Sequence, residues 1–258
     1  MCSRQSRGGM LGVSSSSEIN PLIRKLESIV TLSEEERSAL LRLPLHVTHL
    51  RAEQDIVREG DQPSRCCALL EGFTCSYKVS REGGRQIVAF AIPGDIPDLQ
   101  SLHLKTLDNS LATVTPCKVG FIEHESLRYV CERHPRIASA LWRETLVDAA
   151  IHRERMTSMG RRDAASRIAH LLCELLVRMR VVGLADEDSC DLPLTQQALA
   201  DALGLTDVHV NRTLRVLREA GMVEVSDRLV TVMDFDRLAH TGEFQADYLY
   251  FDDHIRTP

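Results

Sequence analysis

One segment of the chain, from Thr195 to Leu217, constrains the fold more than any other. A helix-turn-helix needs a small residue where its two helices cross, and Ala200 supplies it. Four residues later, the turn needs a residue that tolerates a positive φ, and Gly204 meets that need. Val210, six residues further on, provides the apolar anchor of the second helix. The spacing predicts two short helices joined by a tight turn, a unit that can place its second helix in the major groove of DNA.

The residues around this segment agree with that prediction. Thr195 and Thr206 can cap the two helices, and the runs Gly221–Val225 and Leu229–Met233 predict the hairpin of a winged helix-turn-helix. Arginine and asparagine on the exposed face of the second helix can each make two hydrogen bonds to one base. The predicted DNA-binding residues are Thr206, Asp207, Val208, His209, Asn211, Arg212 and Arg215. The alternative, a plain helical hairpin, would require turn, caps and wing to coincide by chance.

The region from about Pro44 to Ile122 has a different texture. Short runs rich in β-branched and apolar residues alternate with glycine-containing turns, which predicts successive strands in an all-β barrel or roll. Ser80–Gly84 separates two of these runs and predicts a hairpin. Before the roll, Ser33 and Glu36 have the spacing of a capping box and predict a short helix.

Residues 135 to about 159 read as one long helix, followed by a break at Gly160 and a second helix that starts near Asp163. The long helix carries a seam with the spacing of a coiled coil and one charge in it. The seam residues are Trp142, Leu146, Ala149, Arg153 and Met156. From this spacing alone, the seam can pack on the roll or form an interface between two copies of the chain.

The formal net charge of −6 is a weak argument against a nucleic-acid partner. Residues 151–233 contain 11 Arg and 12 Asp or Glu, so even the predicted DNA-binding part is not basic overall. The placement of charge is more informative, because Arg212, Arg215 and Arg218 follow one another along the second helix while acidic residues cluster in the loop at 182–193. We therefore expect weak non-specific DNA binding that falls quickly with salt.

Several function classes find no support in the sequence. The sequence has no uncharged stretch of about 18 apolar residues, so no membrane span is expected. Residues 1–18 lack the apolar core of a signal peptide and read as a disordered leader, which predicts a cytoplasmic location with reduced thiols. Cys66, Cys67 and Cys75 leave a thiol sensor or soft-metal site open as an alternative to structural cysteines. No nucleophile elbow, P-loop or HExxH signature predicts an enzyme.

The order of these parts resembles the Crp/Fnr transcription regulators over about residues 20–240. The most specific matches are Ile56–Asp61, Leu69–Gly72, Ile92–Asp95 and Leu194–Val223. The resemblance implies an α+β fold with an N-terminal cyclic-nucleotide-binding-like β-roll, a long dimerisation helix and a C-terminal winged helix-turn-helix. It also implies a homodimer on a palindromic operator in double-stranded DNA, an effector or redox event at the roll, and RNA polymerase as a partner if the protein is an activator.

The resemblance predicts five parts of the chain. They are a leader (1–18), a β-roll sensor (19–134), a dimerisation helix (135–160), a winged helix-turn-helix (161–240) and a tail (241–258). The tail extends past the usual end of the wing in this family, and it can pack on the winged domain or be loose.

The chain departs from the family at its ligand-binding positions. Members that bind cyclic nucleotides use a Gly-Glu pair and an Arg-Ser pair. Here the first pair reads Pro97-Asp98, and no arginine occurs between Arg85 and Arg128. We therefore do not expect cyclic nucleotide, assign no cofactor, and retain Pro97 and Asp98 as candidate effector residues. Control of DNA binding by a cyclic nucleotide or by oxidation at the roll is the alternative. Iron–sulfur members have an N-terminal cysteine cluster, which Cys2 alone cannot reproduce.

The recognition helix also departs from the family. Val208 stands where many members place a glutamate that reads a C·G pair, whereas Arg212 matches the base-reading arginine. Valine can contact a thymine methyl group but cannot accept a hydrogen bond from cytosine. The half-site should therefore differ from the common ones while keeping a guanine opposite Arg212.

Overall fold

A computed structural model describes residues 20–185, 191–226 and 229–251. The predicted leader at 1–18, most of the acidic part of the predicted loop, the tip of the wing and the end of the tail lie outside the described residues. Within the described ranges, no helix is both long enough and apolar enough to cross a membrane.

The N-terminal half is a β-roll preceded by two short helices, α1 (Asn20–Glu27) and α2 (Glu34–Leu41). The strands of the roll are β1 (His46–Leu50), β2 (Asp55–Val57), β3 (Arg65–Glu71), β4 (Thr74–Val79), β5 (Arg85–Ala91), β6 (Ser110–Thr113) and β7 (Cys117–Glu123). One sheet has the order β1-β7-β3 and the other β2-β6-β4-β5, with all pairs antiparallel. The predicted roll and its β4–β5 hairpin are confirmed.

Local sequence signals explain several of these elements. Ser33 caps α2 through a capping box, because its hydroxyl accepts from the Glu36 N–H at 3.2 Å and its own N–H donates to the Glu36 carboxylate at 2.7 Å. In β3, the side chains of Cys66 and Cys67 point to opposite faces. Cys66 packs in the cluster that includes α1 and α2, whereas Cys67 packs inside the roll. The two neighbouring thiols therefore cannot hold one metal ion together.

Three helices connect the roll to the C-terminal half: α3 (His124–Arg133), α4 (Pro135–Arg161) and α5 (Ala164–Val181). The predicted break at Gly160 is wrong, since α4 continues through this residue and the chain becomes extended only at Arg162. A glycine in a helix is unfavourable by only about 1 kcal/mol relative to alanine. Asp163 sets the real boundary, because its side chain accepts from the Ser166 N–H at 2.9 Å and caps α5.

The C-terminal half is a winged helix-turn-helix. Its elements are β8 (Asp191–Leu192), α6 (Gln196–Leu203), α7 (Asp207–Glu219), β9 (Val223–Ser226), β10 (Leu229–Val232) and α8 (Phe235–Thr241). The sheet has the order β8-β10-β9, so the wing has a third strand. Residues 182–193, which were predicted to form a loop, contain β8, whose buried Leu192 pairs with Val230.

The described part of the tail is ordered against the long helix. A single 3-10 turn, Ala246–Leu249, brings Leu249 and Phe251 onto Val147 and Ile151 of α4, and all four side chains are buried together. The tail therefore contacts α4 in addition to the winged domain, a partner that the sequence did not indicate.

The two halves of the chain share one hydrophobic core. Phe73, Ile87 and Phe90 of the roll belong to the same buried cluster as the apolar faces of α5 and α6. At the edge of this contact, Arg85 Nε lies 3.0 Å from Asp201 Oδ2, and Gln86 Nε2 donates to the Ala202 carbonyl at 3.2 Å. The contact fixes α6 against β5.

Candidate DNA-binding interface and sensor region

The turn between α6 and α7 is built as its sequence predicts. The Thr195 hydroxyl accepts from the Ala198 N–H at 3.1 Å and caps α6, and the Thr206 hydroxyl accepts from the His209 N–H at 3.3 Å and caps α7. Gly204 ends α6 with a φ of 62°, in the left-handed region where a side chain would be strained.

Helix α7 has one buried face and one exposed face. Val210, Leu214 and Leu217 are buried and anchor the helix in the core, as predicted. The predicted DNA-binding residues Thr206, Asp207, Val208, His209, Asn211, Arg212 and Arg215 are all exposed. Val208 is 77% exposed, so its aliphatic side chain is available for an apolar contact. The geometry therefore presents this set together on one face.

The exposed side chains of α7 differ in the contacts that they make with neighbouring residues. Asn211 Nδ2 donates to Gln196 Oε1 of α6 at 3.2 Å. Arg215 lies 3.9 Å from Glu219 on the same helix. The Thr206 hydroxyl is engaged in the helix cap, and Asp207 in the first turn of α7 interacts favourably with the helix dipole. These two residues therefore have a structural role at the start of α7 besides any contact with DNA.

Pro97 and Asp98 line different cavities. Pro97 lines a cavity of about 510 Å³ bounded by the roll, α1 and α4, whereas Asp98 lines a second cavity of about 460 Å³ beside Arg65 and Phe121. The Asp98 side chain accepts from the Cys67 backbone N–H at 2.7 Å. Asp98 is only 2% exposed, and burial raises the pKa of its carboxyl group to about 7.

A buried ionic cluster, formed by Lys25, Asp95, Glu144 and Arg178, lies in the wall of the larger cavity. Lys25 Nζ is 3.4 Å from Asp95 and 3.5 Å from Glu144, and Arg178 Nη2 is 2.7 Å from Asp95. Burial opposes ionisation of Asp95, but Lys25 and Arg178 outweigh it and lower its pKa. Burial raises the pKa of Glu144 to about 7 despite Lys25. Since both cations already face carboxylates, this part of the wall offers a phosphate group no unpaired positive charge.

A second buried polar cluster ties the tail to α4 and α5. Glu174 of α5 accepts from Arg155 of α4 at 3.1 Å and from the Tyr248 hydroxyl at 2.9 Å. The Tyr248 hydroxyl also lies 3.1 Å from His170 Nε2. Sequence reasoning found neither cluster, because their members lie far apart in the chain and carry no motif.

The α4 seam is not covered by the rest of the chain. Trp142 is 68% exposed, Leu146 is 56% exposed and Met156 is 73% exposed. Ala149 is half-buried and Arg153 is exposed. The opposite face of α4 packs on the remainder of the protein. The sequence left two alternatives for this seam, packing on the roll or pairing with a second copy. The structure does not pack the seam on the roll.

The cysteines of the roll are poor candidates for a thiol sensor. Cys66, Cys67 and Cys75 are fully buried, and burial raises the pKa of Cys66 to about 12 and that of Cys75 to about 11. Because the thiolate is the reactive form, such groups are inert in the folded state. The described residues also contain no group of three or more His, Cys, Asp or Glu placed to hold a metal ion.

Comparisons with known proteins agree with this architecture. Residues 47–134 match the cyclic nucleotide-binding domain, and residues 166–241 match the Crp-like helix-turn-helix domain. The chain is 30% identical to the nitrogen fixation regulation protein FixK of Bradyrhizobium diazoefficiens, covering 72% of this chain and 77% of that protein. It is 26% identical to the transcriptional activator protein FnrL of Cereibacter sphaeroides, covering 80% of this chain and 84% of the relative.

Solved structures show the same relationship. FixK2 from Bradyrhizobium japonicum superposes with a TM-score of 0.69 at 26% identity, covering 77% of this chain and 98% of FixK2. The regulator CLP from Xanthomonas campestris has a TM-score of 0.61 at 17% identity, over 78% of this chain and 99% of CLP, and shows the fold alone. The chain therefore belongs to the Crp/Fnr family, whose members bind DNA and act as dimers, and it is a DNA-binding transcription regulator with an N-terminal sensor domain.

Proposed function

We propose that this regulator reads its operator through the exposed face of α7, with Arg212 contacting a guanine and Asn211 an adenine. The observation that carries the proposal is the division of α7 into a buried anchor and a face of exposed Arg, Asn and Val side chains. The guanidinium group of Arg212 can donate two hydrogen bonds to a guanine edge. Val208, which is exposed on the same face, would contact a thymine methyl group, and the half-site would then differ from those read by a glutamate.

The α4 seam is the proposed dimer interface. It presents Trp142, Leu146 and Met156 to solvent along one line, while the other face of the same helix is buried. Pairing two seams would cover these side chains and relate two α7 helices by a two-fold axis. A palindromic operator follows, because each protomer then reads the same half-site.

The β-roll is the proposed sensor, and its effector is not a cyclic nucleotide of the usual kind. Lys25 and Arg178 in the wall of the larger cavity form ion pairs with Asp95. The roll also lacks the arginine that the family uses to bind phosphate. Burial of the cysteines argues against oxidation as the signal. We further propose that the protein works in the cytoplasm without catalytic activity, and that it contacts RNA polymerase where it activates transcription.

Selection of bound sequences from a random DNA pool tests the operator assignment. Repeating the selection with and without reducing agent also tests for thiol control. The change Arg212→Ala is expected to weaken binding to the selected operator by about 1–3 kcal/mol, because one bidentate base contact is lost. Arg42→Ala removes an equally charged, exposed arginine from the N-terminal half and should leave operator affinity unchanged. Full operator affinity in the Arg212 variant would contradict its role.

Sedimentation of a seam variant tests the dimer. Leu146→Asp places a charge at the centre of the seam and should convert the dimer to a monomer. Tyr129→Asp makes a comparable change at an exposed aromatic residue of α3, outside the seam, and should leave the dimer intact. A dimer that persists in the Leu146 variant would show that another surface holds the protomers together.

A further inference from the structure

Gln196, which the sequence analysis did not single out, lies in contact with the recognition helix. It is the first residue of α6, and its Oε1 accepts from Asn211 Nδ2 at 3.2 Å. The position of this pair is fixed by the core beneath it, since Ala200 of α6 and Val210 of α7 are both buried in one cluster. The hydrogen bond therefore joins two side chains on a rigid frame.

This hydrogen bond determines which groups Asn211 has left for DNA. An asparagine amide has one acceptor oxygen and two N–H donors. With one N–H given to Gln196, Asn211 keeps its oxygen and one N–H, an acceptor and a donor side by side. That pair matches adenine, whose major-groove edge offers an N–H donor and a ring-nitrogen acceptor. The reversed amide would present two donors, which match the two acceptors of guanine instead.

The orientation of Gln196 follows from the position of α6. The first helix of a helix-turn-helix crosses the DNA backbone, and phosphate oxygens only accept hydrogen bonds. A phosphate at the start of α6 would therefore attract the amide nitrogen of Gln196 and leave Oε1 directed at Asn211, as it is in the structure. We infer that Gln196 is a positioning residue that holds the Asn211 amide in the orientation that selects adenine over guanine. This inference rests on the proposed role of α7.

Four variants of the chain, including Asn211→Ala as the reference for loss of the contact, test the inference against operators that carry adenine or guanine at the position read by Asn211. Gln196→Ala frees the amide to rotate and should lower the adenine preference about 3- to 10-fold, the size expected for one hydrogen bond. Gln196→Glu can only accept, so it should keep the preference while weakening binding to both operators through repulsion of phosphate. Gln197→Ala is the matched control, because Gln197 Nε2 donates to Asp201 at 2.7 Å within α6.

The ratio of the two affinities is the decisive readout, since a general loss of structure would weaken both operators alike. Retention of the full adenine preference by Gln196→Ala, while Asn211→Ala abolishes it, overturns the positioning role and leaves the proposed function intact. An Asn211→Ala variant with unchanged preference at every operator position overturns both the inference and the proposed contact of Asn211. Loss of preference in the Gln197 variant also overturns the inference, because the effect would not be specific to Gln196.

Discussion

The buried carboxyl group of Asp98 leads to a prediction about stability and pH. Asp98 is 2% exposed, and its side chain accepts from the Cys67 N–H. Burial is the largest influence on this carboxyl group and outweighs its hydrogen bond from the Cys67 N–H, so its pKa rises from an ordinary 3.8 to about 7. The change Asp98→Asn keeps an oxygen to accept from Cys67 and removes the group that ionises.

The magnitude follows from the two pKa values. The carboxyl group of Asp98 binds its proton more tightly in the folded protein than in the unfolded chain. Below the unfolded pKa it is protonated in both states, so its ionisation does not change the free energy of unfolding. As pH rises from about 4 to about 7, ionisation of the unfolded chain lowers the stability of the wild type, and the loss is complete above the folded pKa. A rise from 3.8 to about 7 corresponds to about 4 kcal/mol at 1.36 kcal/mol for each tenfold change in acidity. We expect Asp98→Asn to be more stable than the wild type by about 2–4 kcal/mol at pH 8.

Urea unfolding at fixed protein concentration, from pH 4.5 to pH 8, measures this difference. Glu144 titrates over the same range, but it does so in both proteins and cancels in the comparison. Asp108→Asn is the matched control, because its side chain is 77% exposed and the change should have little effect at any pH. A stability difference between the Asp98 variant and the wild type that does not grow with pH would refute the reasoning.

Other predictions follow from the contacts described above. Gly94 has a φ of 102°, and an added Cβ would lie 2.6 Å from a carbonyl oxygen of α1, so Gly94→Ala should lower stability by about 2–4 kcal/mol in thermal unfolding. Gly83→Ala, at a φ of 86° with open space around it, should lower it by only about 1 kcal/mol. Tyr248→Phe leaves buried Glu174 without one donor and should lower the free energy of unfolding by about 1–3 kcal/mol. Cys66 should resist alkylation until the protein unfolds, and its rapid modification in the folded state would contradict its burial.

The sequence predicted those parts of the fold that short-range signals determine. Ser33, Thr195 and Thr206 act within three residues of themselves, and each caps its helix as expected. Gly204 ends α6 because its own backbone adopts the left-handed conformation, with a φ of 62°. Local signals predicted the separate parts, whereas their assembly into a β-roll, a long helix and a winged helix-turn-helix came from the resemblance to the Crp/Fnr regulators and is confirmed by the structure.

The parts that were missed depend on contacts between distant residues. Lys25, Asp95 and Arg178 form one cluster, yet the pair of Asp95 and Arg178 is separated by 83 positions. Nothing near any of these residues marks it as buried or paired. The predicted break at Gly160 was wrong for a local reason, because one glycine is unfavourable in a helix by only about 1 kcal/mol and α4 continues through it to Arg161.

The contact between α6 and β5 limits how a signal can travel from sensor to DNA. Arg85 and Gln86 contact α6, and α6 shares a core with α7, so the roll and the winged helix-turn-helix are packed together in this conformation. A change inside the roll can then act in two ways. In the proposed dimer, it can rotate each protomer relative to its partner at the α4 seam and alter the spacing between the two α7 helices, or it can release α6 from β5 and free the winged helix-turn-helix alone. Disrupting the Arg85–Asp201 ion pair would leave the first route intact and shift the balance toward the second.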